Sequence, residues 1–91
     1  MPIQVQLPSQ LRALAGGVAQ LSVEAATIAG LLETLGERHA GLRERLLEPS
    51  GEVRRFVRIF VNEEDIRFLQ DRDTKLVAGD TVAIIPAIAG G

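Results

Sequence analysis

Thr81-Val82-Ala83-Ile84-Ile85-Pro86 is a β-branched, almost wholly apolar run closed by a proline. That composition predicts a central strand buried on both faces or nearly so. Pro86 ends it, because proline cannot donate to a sheet ladder. Ala78-Gly79-Asp80 supplies a tight turn before it, and Leu76 is expected to plug the core. A central strand this late in the chain arrives after a long excursion and is expected to lie beside the first strand. That first strand is Ile3, Val5 and Leu7 alternating with Gln4 and Gln6, stopped by Pro8.

The intervening segments fill in the rest. Ser9 caps a short helical turn carrying Leu11 and Leu14, and Gly16-Gly17 stops it. Val18–Ala25 holds a second strand with Leu21 and Val23 pointing inward, forming a hairpin with the first. Thr27 is the expected N-cap of the main helix. Ile28, Leu31, Leu32 and Leu35 follow at i, i+3, i+4 and i+7, one apolar stripe, and Gly41 reads as the residue just past the helix end. Leu42, Leu46 and Leu47 suggest one more turn before Pro49-Ser50-Gly51. Val53–Asn62 is the longest strand candidate, with Val57, Ile59 and Val61 toward the core and Phe56, Arg58, Phe60 and Asn62 on the other face. Asn62–Asp65 is turn chemistry, Ile66–Leu69 a short strand and Gln70–Thr74 a polar loop. The order β, β, α, β, short β, β is an α+β roll with one main helix across one sheet face.

Composition excludes most catalytic classes. The 91 residues contain no cysteine and a single histidine, His39. Thiolate zinc sites, Cys nucleophiles and multi-His metal sites are therefore not expected within this chain. Ten Lys+Arg against twelve Asp+Glu leave a formal charge of −2, which gives phosphate backbones little attraction and argues against nucleic acid. Nine of those ten bases are arginine; Lys75 is the one lysine. No apolar run approaches the roughly 20 residues of a membrane span, and the N-terminus lacks the form of a signal peptide. The expected location is the cytoplasm.

The chemistry is expected at the end of the chain, Pro86-Ala87-Ile88-Ala89-Gly90-Gly91. The proposed division is a single domain over 1–86 and a flexible tail over 87–91. Six residues extend at most about 20 Å, and two residues without Cβ give a backbone narrow enough to thread a slot. The carboxylate at the end of such an arm is reachable by another enzyme's active site. Adenylation makes it electrophilic, and attack by a sulfur donor gives a thiocarboxylate. A thioacid is ionised below neutral pH, whereas a cysteine thiol, with pKa about 8.5, is mostly protonated there.

Three segments resemble the ubiquitin-like sulfur carriers of the ThiS/MoaD family, most closely the CysO type. They are Arg55-Phe56-Val57-Arg58-Ile59-Phe60-Val61-Asn62-Glu63-Glu64-Asp65-Ile66-Arg67-Phe68, then Leu76 with Gly79-Asp80-Thr81-Val82, then Ile84 through Gly91. The Ala87-Ile88-Ala89 spacer before Gly-Gly carries the subtype. The resemblance implies a β-grasp (ubiquitin-like) mixed sheet with one main helix on one face and a free Gly-Gly tail. It implies that Gly91 is the adenylation and thiocarboxylate site, Gly90 the clearance residue, and Pro86, Ala87, Ile88 and Ala89 the tail gripped by an activating enzyme. The chain itself is then no enzyme and binds no cofactor. The implied partners are a ubiquitin-activating-type adenylyltransferase and sulfurtransferase using ATP, a pyridoxal-phosphate cysteine synthase and a zinc metallopeptidase.

The favoured pathway is cysteine biosynthesis. Thiamin, molybdopterin, thiolated tRNA or a sulfur-containing natural product are alternative destinations of the sulfur. A protein modifier and a non-catalytic binding module are alternative classes. Phe56, Arg58 and Phe60 are the candidate docking residues, with packing of the two rings under the loop after Asp71 as the competing reading.

Overall fold

The structure is a computed structural model that describes residues 2–86. Ile3–Gln6 (β1) pairs antiparallel with Gln20–Val23 (β2), Ile3 opposite Val23 and Val5 opposite Leu21. Between them Ser9–Arg12 (α1) runs into a 3-10 turn over Ala13–Ala15. Gly16 and Gly17 end that turn at φ 75° and 87°, a region closed to most side chains, and so send the chain back along β1.

Thr27 caps the main helix, Ile28–Arg38 (α2), its hydroxyl accepting the Gly30 N–H at 3.1 Å. Ile28, Leu31, Leu32 and Leu35 are all buried on its sheet side, as the stripe predicts. Gly41 corrects the expected helix end. The break falls at His39, and Gly41 lies inside a second helix, Ala40–Leu46 (α3). There its Cα face lies against Leu14, so close that an added Cβ would meet Leu14 Cδ2 at 3.0 Å. This glycine marks a helix crossing rather than a cap.

The third strand is shorter than its apolar run. Val53 forms an isolated bridge to Leu47, and only Val57–Val61 (β3) enters the sheet. Asn62 and Glu63 then reverse the chain with φ of 49° and 75°, the geometry of a two-residue hairpin with left-handed central positions. That tight reversal brings Glu64–Asp65 (β4) back against Val61 and Phe60. The short strand therefore precedes the expected Ile66–Leu69, where Ile66–Phe68 is instead a 3-10 turn. Gln70–Thr74, read as a polar loop, contains a further 3-10 turn over Asp71–Asp73.

Thr81–Pro86 (β5) closes the sheet in the order β2-β1-β5-β3-β4. It runs parallel to β1 and antiparallel to β3, so the last strand returns beside the first as expected. Leu76 is buried in the core. The expectation that β5 is buried on both faces is corrected. Val82 and Ile84 are buried under α2's side of the sheet, but Thr81 and Ala83 are half-buried and Ile85 is 46% exposed. The helices cover one face only.

Candidate functional site

The uncovered face is built by strand alternation. Residues paired across β1, β5 and β3 share a face, so Gln6, Ala83 and Phe60 form one row and Ile85 with Arg58 the next. Thr81, Gln4 and Asn62 lie toward the opposite end. Ala83 is small, and the half-buried Phe60 ring stands beside it at the rim of a shallow open depression of about 660 Å³ that Gln6, Thr81 and Ile85 also border. The apolar centre is thus Phe60, Ala83 and Ile85, with Arg58 exposed at one end and Glu63 at the other.

The expected docking trio is only partly brought together. Arg58 and Phe60 lie on this face of β3. Phe56 lies in the turn before the strand and is 47% exposed, so it is not covered by the loop after Asp71. Ala83 and Ile85 were missed because an apolar central strand reads as buried on both sides; the small side chain at Ala83 between two β-branched residues was the available signal. Phe68, 84% exposed on its 3-10 turn, was hidden in the expected short strand.

The register fixes where the tail leaves. Pro86 is the last described residue and pairs with Val57, one step beyond the Ile85–Arg58 row. The tail residues Ala87, Ile88, Ala89, Gly90 and Gly91 lie outside the described residues. At the far end, β5 is locked to the β3–β4 hairpin by side chains. Asn62 Nδ2 donates to Asp80 Oδ1 at 2.9 Å, and Asn62 Oδ1 accepts the Thr81 N–H at 3.0 Å. Asp80 Oδ2 also accepts the Val77 N–H at 2.9 Å. Asn62 and Asp80, read as turn formers, are both parts of this lock.

A second depression, about 610 Å³, lies at the β3–β4 edge and carries Arg54, Arg55, Arg67 and Arg72. Three of these guanidinium groups are engaged locally. Arg67 Nη2 meets Asp65 Oδ2 at 3.0 Å, Arg54 Nε donates to the Glu44 carbonyl at 2.8 Å, and Arg72 Nη1 to the Gly51 carbonyl at 3.0 Å. Asp65 is 7% exposed, and its carboxylate also accepts the Arg67 backbone N–H at 2.9 Å, capping the 3-10 turn. Burial pushes this carboxyl up. Hydrogen bonds from the Arg67 side chain and backbone, with the charges of Arg67 and Arg58, outweigh that and hold it below the usual carboxylate range. No three described carboxylates or imidazoles converge on a point that suits a metal ion. No helix among the described residues is long and apolar enough to cross a membrane.

With this geometry in place, the relatives are informative. Residues 5–91 match the ThiS family. The Mycobacterium tuberculosis protein named Sulfur carrier protein CysO is 40% identical over 93 residues, covering 100% of both chains. A crystal structure of M. tuberculosis CysO superposes with a TM-score of 0.87 at 38% identity, over 94% of this chain and 99% of that one. CysO in the Amycolatopsis orientalis BexX/CysO complex does so at 0.90 with 35% identity, over 98% and 99%. A Haloferax volcanii protein named Small archaeal modifier protein 3 is 36% identical over 66 residues, 72% of this chain and 71% of its own. The mixed five-stranded sheet with helices on one face is the β-grasp architecture of these structures. The chain belongs to the ThiS family, as a small ubiquitin-like sulfur carrier of the CysO type rather than an enzyme.

Proposed function

We propose that the sulfur rides on the carboxyl of Gly91 and that its destination is cysteine biosynthesis. The observation that carries this reading is that the family match runs through Gly90-Gly91 to the last residue. The supporting geometry is a central strand flanked by β1 over Thr81–Ala83 and paired with β3 as far as Pro86, with five residues beyond it.

On a ubiquitin-activating-type partner, a Gly91 carboxylate oxygen attacks the α-phosphorus of ATP and pyrophosphate leaves. Hydrosulfide then attacks the carbonyl carbon, AMP leaves with the electron pair of its C–O bond, and the thioacid proton passes to water, giving Gly91–COS⁻. Glycines at positions 90 and 91 let the chain enter a narrow site without side-chain clash. Phe60, Ala83 and Ile85 dock against that partner, with Arg58 and Phe56 flanking the tail exit. A pyridoxal-phosphate cysteine synthase accepts the sulfur, and a zinc metallopeptidase releases the cysteine left amide-linked to Gly91. The need for ATP places the reaction in the cytoplasm.

The test is intact mass after co-expression with the activating enzyme and a sulfide source. The reading expects the mass difference of one oxygen exchanged for sulfur, absent from a chain lacking Gly91. Failure to gain it sinks the thiocarboxylate. The relative named as a modifier favours a second reading, in which the same activated carboxyl is passed to lysine amines. A ladder of conjugates that depends on Gly91 would support it.

A further inference from the structure

We infer that Lys75 is an acylation site for the activated C-terminus of a second copy of this chain, the product being a Gly91–Lys75 isopeptide. This rests on the proposed adenylation of Gly91.

The inference starts from scarcity. An acyl-adenylate reacts with thiols and amines, and this sequence offers no cysteine thiol and only one side-chain amine, Lys75. Its other nine basic side chains are guanidinium groups, which stay protonated and are poor nucleophiles. Whatever acyl transfer occurs onto a side-chain amine of this protein therefore falls on one position.

The fold presents that position deliberately. Thr74, Lys75 and Leu76 form an extended segment in which the outer two side chains are buried and the Lys75 side chain is exposed. Its backbone is fastened to the start of α2. Ile28 N donates to the Thr74 carbonyl at 3.0 Å, Leu76 N donates to the Ala26 carbonyl at 2.8 Å, and Thr27 pairs with Lys75 in an isolated bridge. Among the described residues the ammonium makes no hydrogen bond and no ion pair. A rigidly held stem with a free head is what a conjugating enzyme needs to find.

The topology favours transfer between two copies. Chain direction puts the end of β2, the start of α2 and the start of β5 at one end of the sheet. Pro86 lies at the other end of β5, five residue steps away, about 16 Å at the usual strand rise. Five further residues span at most about 17 Å, little more than the strand itself. Closing on its own lysine would demand a nearly fully extended tail laid back along the strand, so transfer between copies is the less strained route.

The step balances. Adenylation consumes ATP and releases pyrophosphate. The deprotonated Lys75 Nζ attacks the Gly91 carbonyl carbon, the C–N bond forms, the C–O bond to AMP breaks with its electron pair, and the remaining proton passes to water.

The experiment incubates the full chain with its adenylating enzyme, ATP and Mg²⁺, with sulfide omitted. Pyrophosphate release is followed separately from covalent dimer formation. If no pyrophosphate appears, the adenylation reading fails, and the inference with it. If it appears, a covalent dimer is expected, and trypsin should leave Leu76–Gly91 of the donor as a branch on Lys75 of the acceptor. Lys75→Arg should abolish the dimer while pyrophosphate release is unchanged. Pyrophosphate release without any dimer, a dimer that survives Lys75→Arg with its branch on the N-terminal amine, or a cyclised monomer would each overturn the inference.

Discussion

Asn62→Gly and Asp80→Ala, made singly and together, test whether the lock at the start of β5 exists as drawn. Asn62→Gly keeps the left-handed backbone but removes two side-chain hydrogen bonds, to Asp80 Oδ1 and from the Thr81 N–H. Asp80→Ala also removes two, the one shared with Asn62 and the one from the Val77 N–H. At about 1 kcal/mol net per bond, each single change costs about 2 kcal/mol. Three distinct bonds are lost in the double variant, so it should cost about 3 kcal/mol rather than 4, a coupling of about 1 kcal/mol. Domains of this size hold about 5–14 kcal/mol, so all three variants stay folded. Urea unfolding of the full chain measures each value by linear extrapolation. Strict additivity, or single costs under about 0.5 kcal/mol, would mean that the Asn62–Asp80 bond contributes nothing in solution.

Four further expectations concern the rest of the molecule. Phe60→Thr should weaken binding to the activating enzyme at least about tenfold with little change in melting temperature; an unchanged Kd removes Phe60 from the docking face. Asp65 has a folded pKa below its unfolded value of about 3.9, so it stabilises the fold above about pH 4 and that contribution is lost as pH falls through the folded value. Asp65→Asn should therefore flatten the acid limb of stability measured from pH 7 downward, and an unaltered limb refutes the assignment. Ile84→Ala, at a site 1% exposed, should cost about 2–5 kcal/mol by urea unfolding; a cost under about 1 would deny its core role. Gly36→Ala and Gly41→Ala should differ in sign. A Cβ on Gly36 meets the Arg43 Cβ at 3.0 Å, which only a shift of α3 relieves, whereas one on Gly41 meets the movable tip of Leu14. The first should destabilise by about 1 kcal/mol and the second gain from helix propensity, and equal effects in unfolding experiments would refute the packing argument.

What could be read beforehand was whatever local periodicity records. The Ile3, Val5, Leu7 alternation and the Ile28, Leu31, Leu32, Leu35 stripe each encode a face, and each face is buried as expected. The return of the last strand to the first followed from the order of elements. What was illegible depends on partners distant in sequence. Val53 and Phe56 carry strand-like side chains but have no neighbouring strand at their register, so they stay outside β3. Glu64-Asp65 lacks strand character and is a strand because the Asn62-Glu63 reversal sets it against Val61 and Phe60. Gly41 looks the same whether it ends a helix or lets one approach another. The apolar content of β5 reports one covered face and one uncovered face in the same letters. For the site, Arg58 and Phe60 were legible from alternation along β3, while Ala83 and Ile85 needed the sheet order.

The tail is continuous with an interior strand rather than an edge one, and this bears on how the carrier tolerates being handled. A partner that draws the last residues into its active site pulls along the axis of β5. That strand is bonded to β3 from Val82 to Pro86 and to β1 over Thr81–Ala83. Load applied in this direction meets the β3 ladder first and the β1 ladder deeper in the sheet, both in shear. An edge strand pulled outward would instead peel open one bond at a time. Under the proposed function, the domain can be docked and drawn taut with the load carried by an interior strand rather than by an edge one.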